Sequence, residues 1–113
     1  MASLDFLLYR GYNKPYMGRA KLIFHSKHIN PSGELIEIKG WAAPKSSRTP
    51  EGYKYSLVYI DASGRRVLGY DNAEGKGHHR HALETEESVE FESLEKLVER
   101  FLEEVKGLRG EKP

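Results

Sequence analysis

The stretch Tyr70-Asp71-Asn72-Ala73-Glu74-Gly75-Lys76-Gly77-His78-His79-Arg80-His81 gathers the side chains of this chain that could do chemistry. Five of its twelve residues are cationic or become so on protonation, two are acidic, and Gly75 and Gly77 let backbone approach a ligand closely. Imidazole exchanges its proton near neutral pH. With 78–81 extended, His79 and His81 project to one face and His78 and Arg80 to the other. Two imidazoles so placed can divide the roles of general base and general acid, while Lys76 or Arg80 stabilises charge on a phosphate. Those are the parts that cleave RNA without metal: a base for the 2′-hydroxyl proton, a cation for the phosphorane, and an acid for the leaving 5′-oxygen.

The same residues admit two other readings. His79 and His81 could ligate a divalent ion, with Asp71, His25 or His28 as a third ligand, and zinc is the first choice for an imidazole-rich set. Alternatively the loop is a solvated basic turn, in which Tyr70, Asp71 and Asn72 hydrogen-bond the chain as it leaves a strand. A single His-x-His pair does not choose among the three. Gly75-Lys76-Gly77 lacks the further glycine and the Lys-Ser/Thr ending of a nucleotide P-loop, and no nucleophile elbow supports acyl transfer. Outside the metal reading, no cofactor is called for.

The elements that must position these groups read as an α+β arrangement. From Leu94 the apolar residues fall at Leu94, Leu97, Val98, Phe101, Leu102, Val105 and Leu108, one stripe of an amphipathic helix. Ser93 can cap it and Gly107 can end it, which predicts a helix over 93–106. Between residues 19 and 91, β-branched and aromatic residues alternate with polar ones, broken by turn clusters. Strands 19–28 and 34–42 are joined by Asn30-Pro31-Ser32-Gly33, and strands 53–60 and 65–70 by Asp61-Ala62-Ser63-Gly64, giving two hairpins. A last strand is expected near 88–91, making about five antiparallel strands packed against one C-terminal helix. Tyr53, Tyr55, Leu57 and Tyr59 share one face, where they either stack on bases or pack as core. The polar loop 44–52 is expected to be mobile. The sheet face away from the helix is left for function.

This gives an N-terminal extension over 1–18, a single domain over 19–106 and a frayed tail over 107–113. The 113 residues carry 18 Lys+Arg against 17 Asp+Glu, but the balance is uneven along the chain. Residues 1–82 hold 13 Lys+Arg and 7 Asp+Glu, net +6, with all five histidines; residues 83–113 hold 5 and 10, net −5. A basic body suits a polyanion such as nucleic acid. With hydrophobic residues at 38% and no long apolar run, a membrane span and a secretion signal are not expected. Cysteine is absent, so a cytoplasmic location is expected. Glutamine is also absent and asparagine occurs only at Asn13, Asn30 and Asn72, which leans toward a thermophilic source.

Taken as an ordered set, Gly52-Tyr53-Lys54-Tyr55-Ser56-Leu57, then Tyr70-Asp71-Asn72, then Gly75-Lys76-Gly77-His78-His79-Arg80-His81, then Phe91-Glu92-Ser93-Leu94 opening a terminal helix, resembles the TumE-type toxins of type II toxin–antitoxin operons. The resemblance implies a small ribonuclease toxin, a hydrolase acting on RNA, encoded beside a helix-turn-helix or winged-helix antitoxin. It implies functional positions at Tyr70, Asp71, Asn72, Lys76, His79, Arg80 and His81. Joined with the residue reading, it gives His79, His81, Tyr70 and Asp71 as the catalytic set and Lys76, Arg80, Asn72 and His78 as phosphate or RNA contacts. Two rivals use the same residues: a non-catalytic module that binds nucleic acid or protein, and a complex-forming protein that is inert alone.

Overall fold

Asn30 and Asp61 open two hairpin turns in the same way. The Asn30 Oδ1 accepts from the Ser32 and Glu34 amides at 3.1 and 2.9 Å, and the Asp61 Oδ1 accepts from the Ser63 and Arg65 amides at 2.9 and 3.1 Å. Each turn closes through a glycine at positive φ, Gly33 at 94° and Gly64 at 87°, where a side chain would be strained. The structure is a computed structural model that describes residues 20–73 and 77–110. The N-terminal extension and Lys76 lie outside that description.

Six strands form one antiparallel sheet in sequence order: β1 Lys21–Ile29, β2 Leu35–Ala42, β3 Tyr53–Ile60, β4 Arg66–Asp71, β5 His79–Ala82 and β6 Thr85–Ser88. One helix, α1, follows at Leu94–Leu108. The sheet therefore has six strands rather than about five. The last hairpin is turned by two residues, Leu83 and Glu84, between the paired Ala82 and Thr85. Its acidic return strand, exposed at every position, lacks the alternation that marks the others, and residues 89–91 do not extend it.

The helix keeps its predicted start and overruns its predicted end. The Ser93 Oγ accepts from the Lys96 amide at 3.1 Å, as an N-cap does. Gly107 lies inside the helix, and the chain turns at Gly110, φ 75°. Arg109, assigned to a frayed tail from sequence, reaches Glu34 at 2.8 Å. Among the described residues, no helix is long and apolar enough to cross a membrane.

Leu97, Phe101 and Val105 of α1 pack on Tyr55, Leu57 and Tyr59 of β3 and Leu68 and Tyr70 of β4. Tyr55 and Tyr59 are thus core beneath the helix, not a stacking platform for bases; burial of such rings is worth several kcal/mol each, roughly 3–5 by truncation. On the opposite face the expectation of a free surface holds only in part. Leu35, Glu37, Lys39 and Trp41 of β2 are buried there too. The remainder of that face, from β3 to β6, carries the candidate site. The 44–52 loop, expected to be mobile, is cross-linked: Ser46 and Thr49 exchange backbone hydrogen bonds at 3.2 Å and the Thr49 hydroxyl donates to the Pro44 carbonyl at 2.7 Å.

Candidate active site

β5 is four residues long, and alternation sends His79 and His81 to the face away from the helix and Arg80 to the helix side. In β4, Asp71 is the partner of His79 and Gly69 the partner of His81; in β6, the partners are Ser88 and Glu86. Each histidine leans to a carboxylate diagonal to it. The His81 Nε2 lies 3.2 Å from the Asp71 Oδ2, and the His79 Nδ1 lies 3.1 Å from the Glu86 Oε2. Gly69 has no side chain of its own opposite His81, and the Arg66 side chain lies over that position, its Nη1 3.7 Å from where a Cβ would stand. Asp71 is itself fixed, because its Oδ1 accepts from the Ala73 amide at 3.1 Å. The two rings are 6.4 Å apart between centroids, tilted by 33°, and keep 16% and 19% of their side-chain surface.

Of the other residues singled out from the sequence, Tyr70, Asn72, His78 and Arg80 sit on the helix side. Arg80 donates from Nε to the Glu104 Oε2 at 2.9 Å, holds the same carboxylate through Nη2, and lies 3.5 Å from Glu87. Tyr70 is buried, donates its hydroxyl to Glu104 and meets the Phe101 ring edge-on at 6.1 Å. Burial and the Glu104 carboxylate push the Tyr70 phenol up to about 12. Burial works to raise the Glu104 carboxyl, but the Arg80 and Tyr70 bonds and the Arg80 and Arg100 charges outweigh it and leave it below the usual carboxylate range. His78 has both ring nitrogens engaged, Nδ1 with the Tyr55 hydroxyl at 2.7 Å and Nε2 with Glu51 at 3.0 Å, and stacks on Phe91 at 4.5 Å. Asn72 is buried at the end of β4; its Oδ1 accepts from the Tyr55 amide at 3.1 Å and its Nδ2 donates to the Tyr53 carbonyl at 2.7 Å. Tyr70, Arg80, Asn72 and His78 thus brace the fold behind the histidine pair.

The histidines proposed as third metal ligands do not converge on that pair. His25 is on β1, in contact with Glu37 at 2.9 Å, and four strand spacings of about 4.8 Å separate β1 from β5. His28 projects to the opposite face, as the pairing of its neighbour Lys27 with Glu37 requires. Among the described residues no three His, Asp or Glu side chains are grouped to hold a metal.

A family model described as Toxin TumE matches residues 15–109, a span that takes in all six strands and the helix. The chain belongs to the TumE toxin family. Membership makes it a toxin of a toxin–antitoxin system, with an antitoxin as its partner. Searches of curated proteins and of solved structures returned no match.

Within this TumE-family fold, two contributors to the histidine face escape a reading of the sequence alone. Glu86 belongs to the acidic segment 83–113, where a single carboxylate does not stand out. Counting back through a two-residue turn pairs it with His81, a signal that needs the hairpin first. Lys54 sits between the partly buried Tyr53 and the buried Tyr55 of β3, and alternation sends it to the histidine side.

Proposed function

We propose that this toxin cleaves RNA through acid–base chemistry shared by His79 and His81, with Asp71 and Glu86 as positioning residues. One observation carries the reading: two imidazoles on one sheet face, each against its own carboxylate, with rings 6.4 Å apart. Rings at that separation can both reach one phosphodiester lying over them, at hydrogen-bond lengths of about 2.8 Å. Asp71 stands at the His81 Nε2 and Glu86 at the His79 Nδ1, so each ring has a carboxylate to hold it in place. One imidazole takes the 2′-hydroxyl proton as that oxygen attacks phosphorus; the other protonates the 5′-oxygen as its bond to phosphorus breaks. A 2′,3′-cyclic phosphate and a 5′-hydroxyl result. The partner in this reading is a helix-turn-helix or winged-helix antitoxin, and the setting is the cytoplasm.

The test is incubation of the purified full chain with end-labelled RNA, with and without EDTA. Cleavage that resists EDTA and is lost in His79→Ala and His81→Ala supports the reading. Cleavage that EDTA abolishes points to a metal, absence of cleavage points to a binding module, and full toxicity in both histidine variants overturns the site.

A further inference from the structure

The β3–β4 pairing slips once. Tyr59 faces Leu68, but Ile60 faces Arg66, which leaves Val67 as an extra residue on β4, packed against the core. Alternation counted back from the buried Leu68 and Tyr70 would aim Arg66 at the helix. The bulge reverses that direction. Leu57 and Tyr59 lie under the helix, so Ile60 points to the histidine side, and its cross-strand partner Arg66 shares that side.

From there the Arg66 side chain lies along β4 over Gly69, its Cδ 3.6 Å and its Nη1 3.7 Å from where a Cβ would stand. A side chain longer than a methyl at Gly69 would stand in its path. Gly69 is the β4 partner of His81, and directly paired residues hold their Cβ positions about 4.5–5.5 Å apart. The guanidinium is therefore beside His81, on the face where Asp71 and Glu86 hold the two imidazoles. Other cations are placed differently. Arg80 is bound to Glu104 and Glu87 on the helix side, Lys39 is buried on β2 3.7 Å from Glu37, and Lys54 stands beyond the Ser56–Asp71 pair at the far end of the face. Arg66 is exposed, and among the described residues it forms no ion pair.

We propose that Arg66 is the guanidinium that holds the non-bridging oxygens of the scissile phosphodiester beside His81. It rests on the reading of the substrate as RNA and deepens that site by naming its cation. A planar guanidinium offers two parallel N–H donors to the two oxygens of one phosphate. As the 2′-oxygen bonds to phosphorus and the 5′-oxygen leaves, the imidazoles carry the protons, and the charge gathering on the non-bridging oxygens meets a cation already in place. Arg66 itself exchanges no proton.

The experiment uses the full chain and two labelled oligonucleotides: a single-stranded RNA for steady-state cleavage, and its 2′-O-methyl counterpart, which cannot be cut, for fluorescence anisotropy over a series of KCl concentrations. Arg66→Met should lower kcat about a hundredfold with the melting temperature unchanged. It should also weaken binding of the 2′-O-methyl strand about tenfold and reduce the salt slope by about 0.7, one phosphate contact. Arg66→Lys should restore most of the binding but only about a tenth of the turnover, since an ammonium cannot hold both oxygens at once. Arg65→Met removes the neighbouring charge from the Asp61 turn and should stay within about twofold of wild type in both assays. Equal losses in Arg65→Met would mark a general charge effect and overturn the assignment. If the wild-type chain cuts RNA, turnover decides: a kcat for Arg66→Met within about twofold of wild type overturns Arg66 and leaves the acid–base reading standing. If it binds RNA without cutting, affinity decides: a drop in Arg66→Met keeps the assignment while the acid–base reading falls, and no drop overturns it. A chain that binds neither strand at low salt overturns both.

Discussion

Arg80 and Glu104 join β5 to the helix from the side of the sheet opposite the histidine pair. Their side chains keep only 21% and 25% of their surface, so removing one partner strands the other in a poorly solvated place. Arg80→Met should cost about 1–2 kcal/mol, less than a fully buried pair because some solvent contact remains. Chemical denaturation measures it, and a double-mutant cycle with Glu104→Gln should show coupling of the same order.

The same carboxylate sets a pH dependence. The folded pKa of Glu104 is lowered, so its contribution is present above the ordinary glutamate value of about 4.3 and is lost as pH falls through the lowered folded value. Melts between about pH 5 and 2 should show the loss in the wild type and a flatter profile in Glu104→Gln. At the alkaline end the Tyr70 phenol is raised to about 12, so stability from it is present below about 10 and declines from there upward.

Asn72→Ala should destabilise by about 2 kcal/mol, because the Tyr55 amide and the Tyr53 carbonyl lose their partners together at a buried strand end. Thermal unfolding checks it. Asn72→Asp should recover less than half of the loss, since a carboxylate can accept from the amide but cannot donate to the carbonyl.

Leu83 is the non-glycine residue that turns the β5–β6 hairpin at positive φ, 55°, with its side chain half exposed. A leucine pays a steric cost there that asparagine and glycine largely avoid. Leu83→Asn should raise stability by up to about 1 kcal/mol, read as a higher melting temperature, with RNA cleavage unchanged. A lower melting temperature would show that the Leu83 side chain's packing outweighs the turn strain.

Glu86→Gln and Asp71→Asn keep shape and remove charge beside one histidine each. As positioning residues they should reduce the cleavage rate about tenfold or more and displace the pH–rate profile, with Glu86→Gln leaving stability within about 0.5 kcal/mol. An unchanged pH–rate profile in both would remove them from the site.

Local pattern carried much of this fold. The helix stripe from Leu94, the Ser93 cap, the two Asx-opened hairpins and the division of His79 and His81 from His78 and Arg80 all follow from periods of 3.6 and 2 within single elements. Less was legible where a residue's surroundings depend on a distant segment. Arg80 reads as a free cation until α1 brings Glu104 to it, and His78 reads as a loop histidine until Glu51 and Phe91 close around it. Gly107 reads as a helix stop because glycine commonly ends helices, yet the chain runs on to Gly110. Lys54 and Glu86 were hidden for a simpler reason: each lies in a segment whose overall character, apolar in one case and acidic in the other, conceals a single residue aimed elsewhere.

β5 is one strand of backbone, and its odd and even positions answer to different masters. The string His-Arg-His is written in interleaved letters, two for the open face of the sheet and one for an anchor on the helix. Substitution at Arg80 is therefore visible to selection through folding alone, even if it never meets a substrate. An insertion or deletion of one residue between Asp71 and His79 that slid β5 by one position would exchange the two messages, aiming arginine outward and both imidazoles into the helix. The spacing from Asp71 to His79 is thus under a parity constraint, tighter than the loop's glycines would suggest.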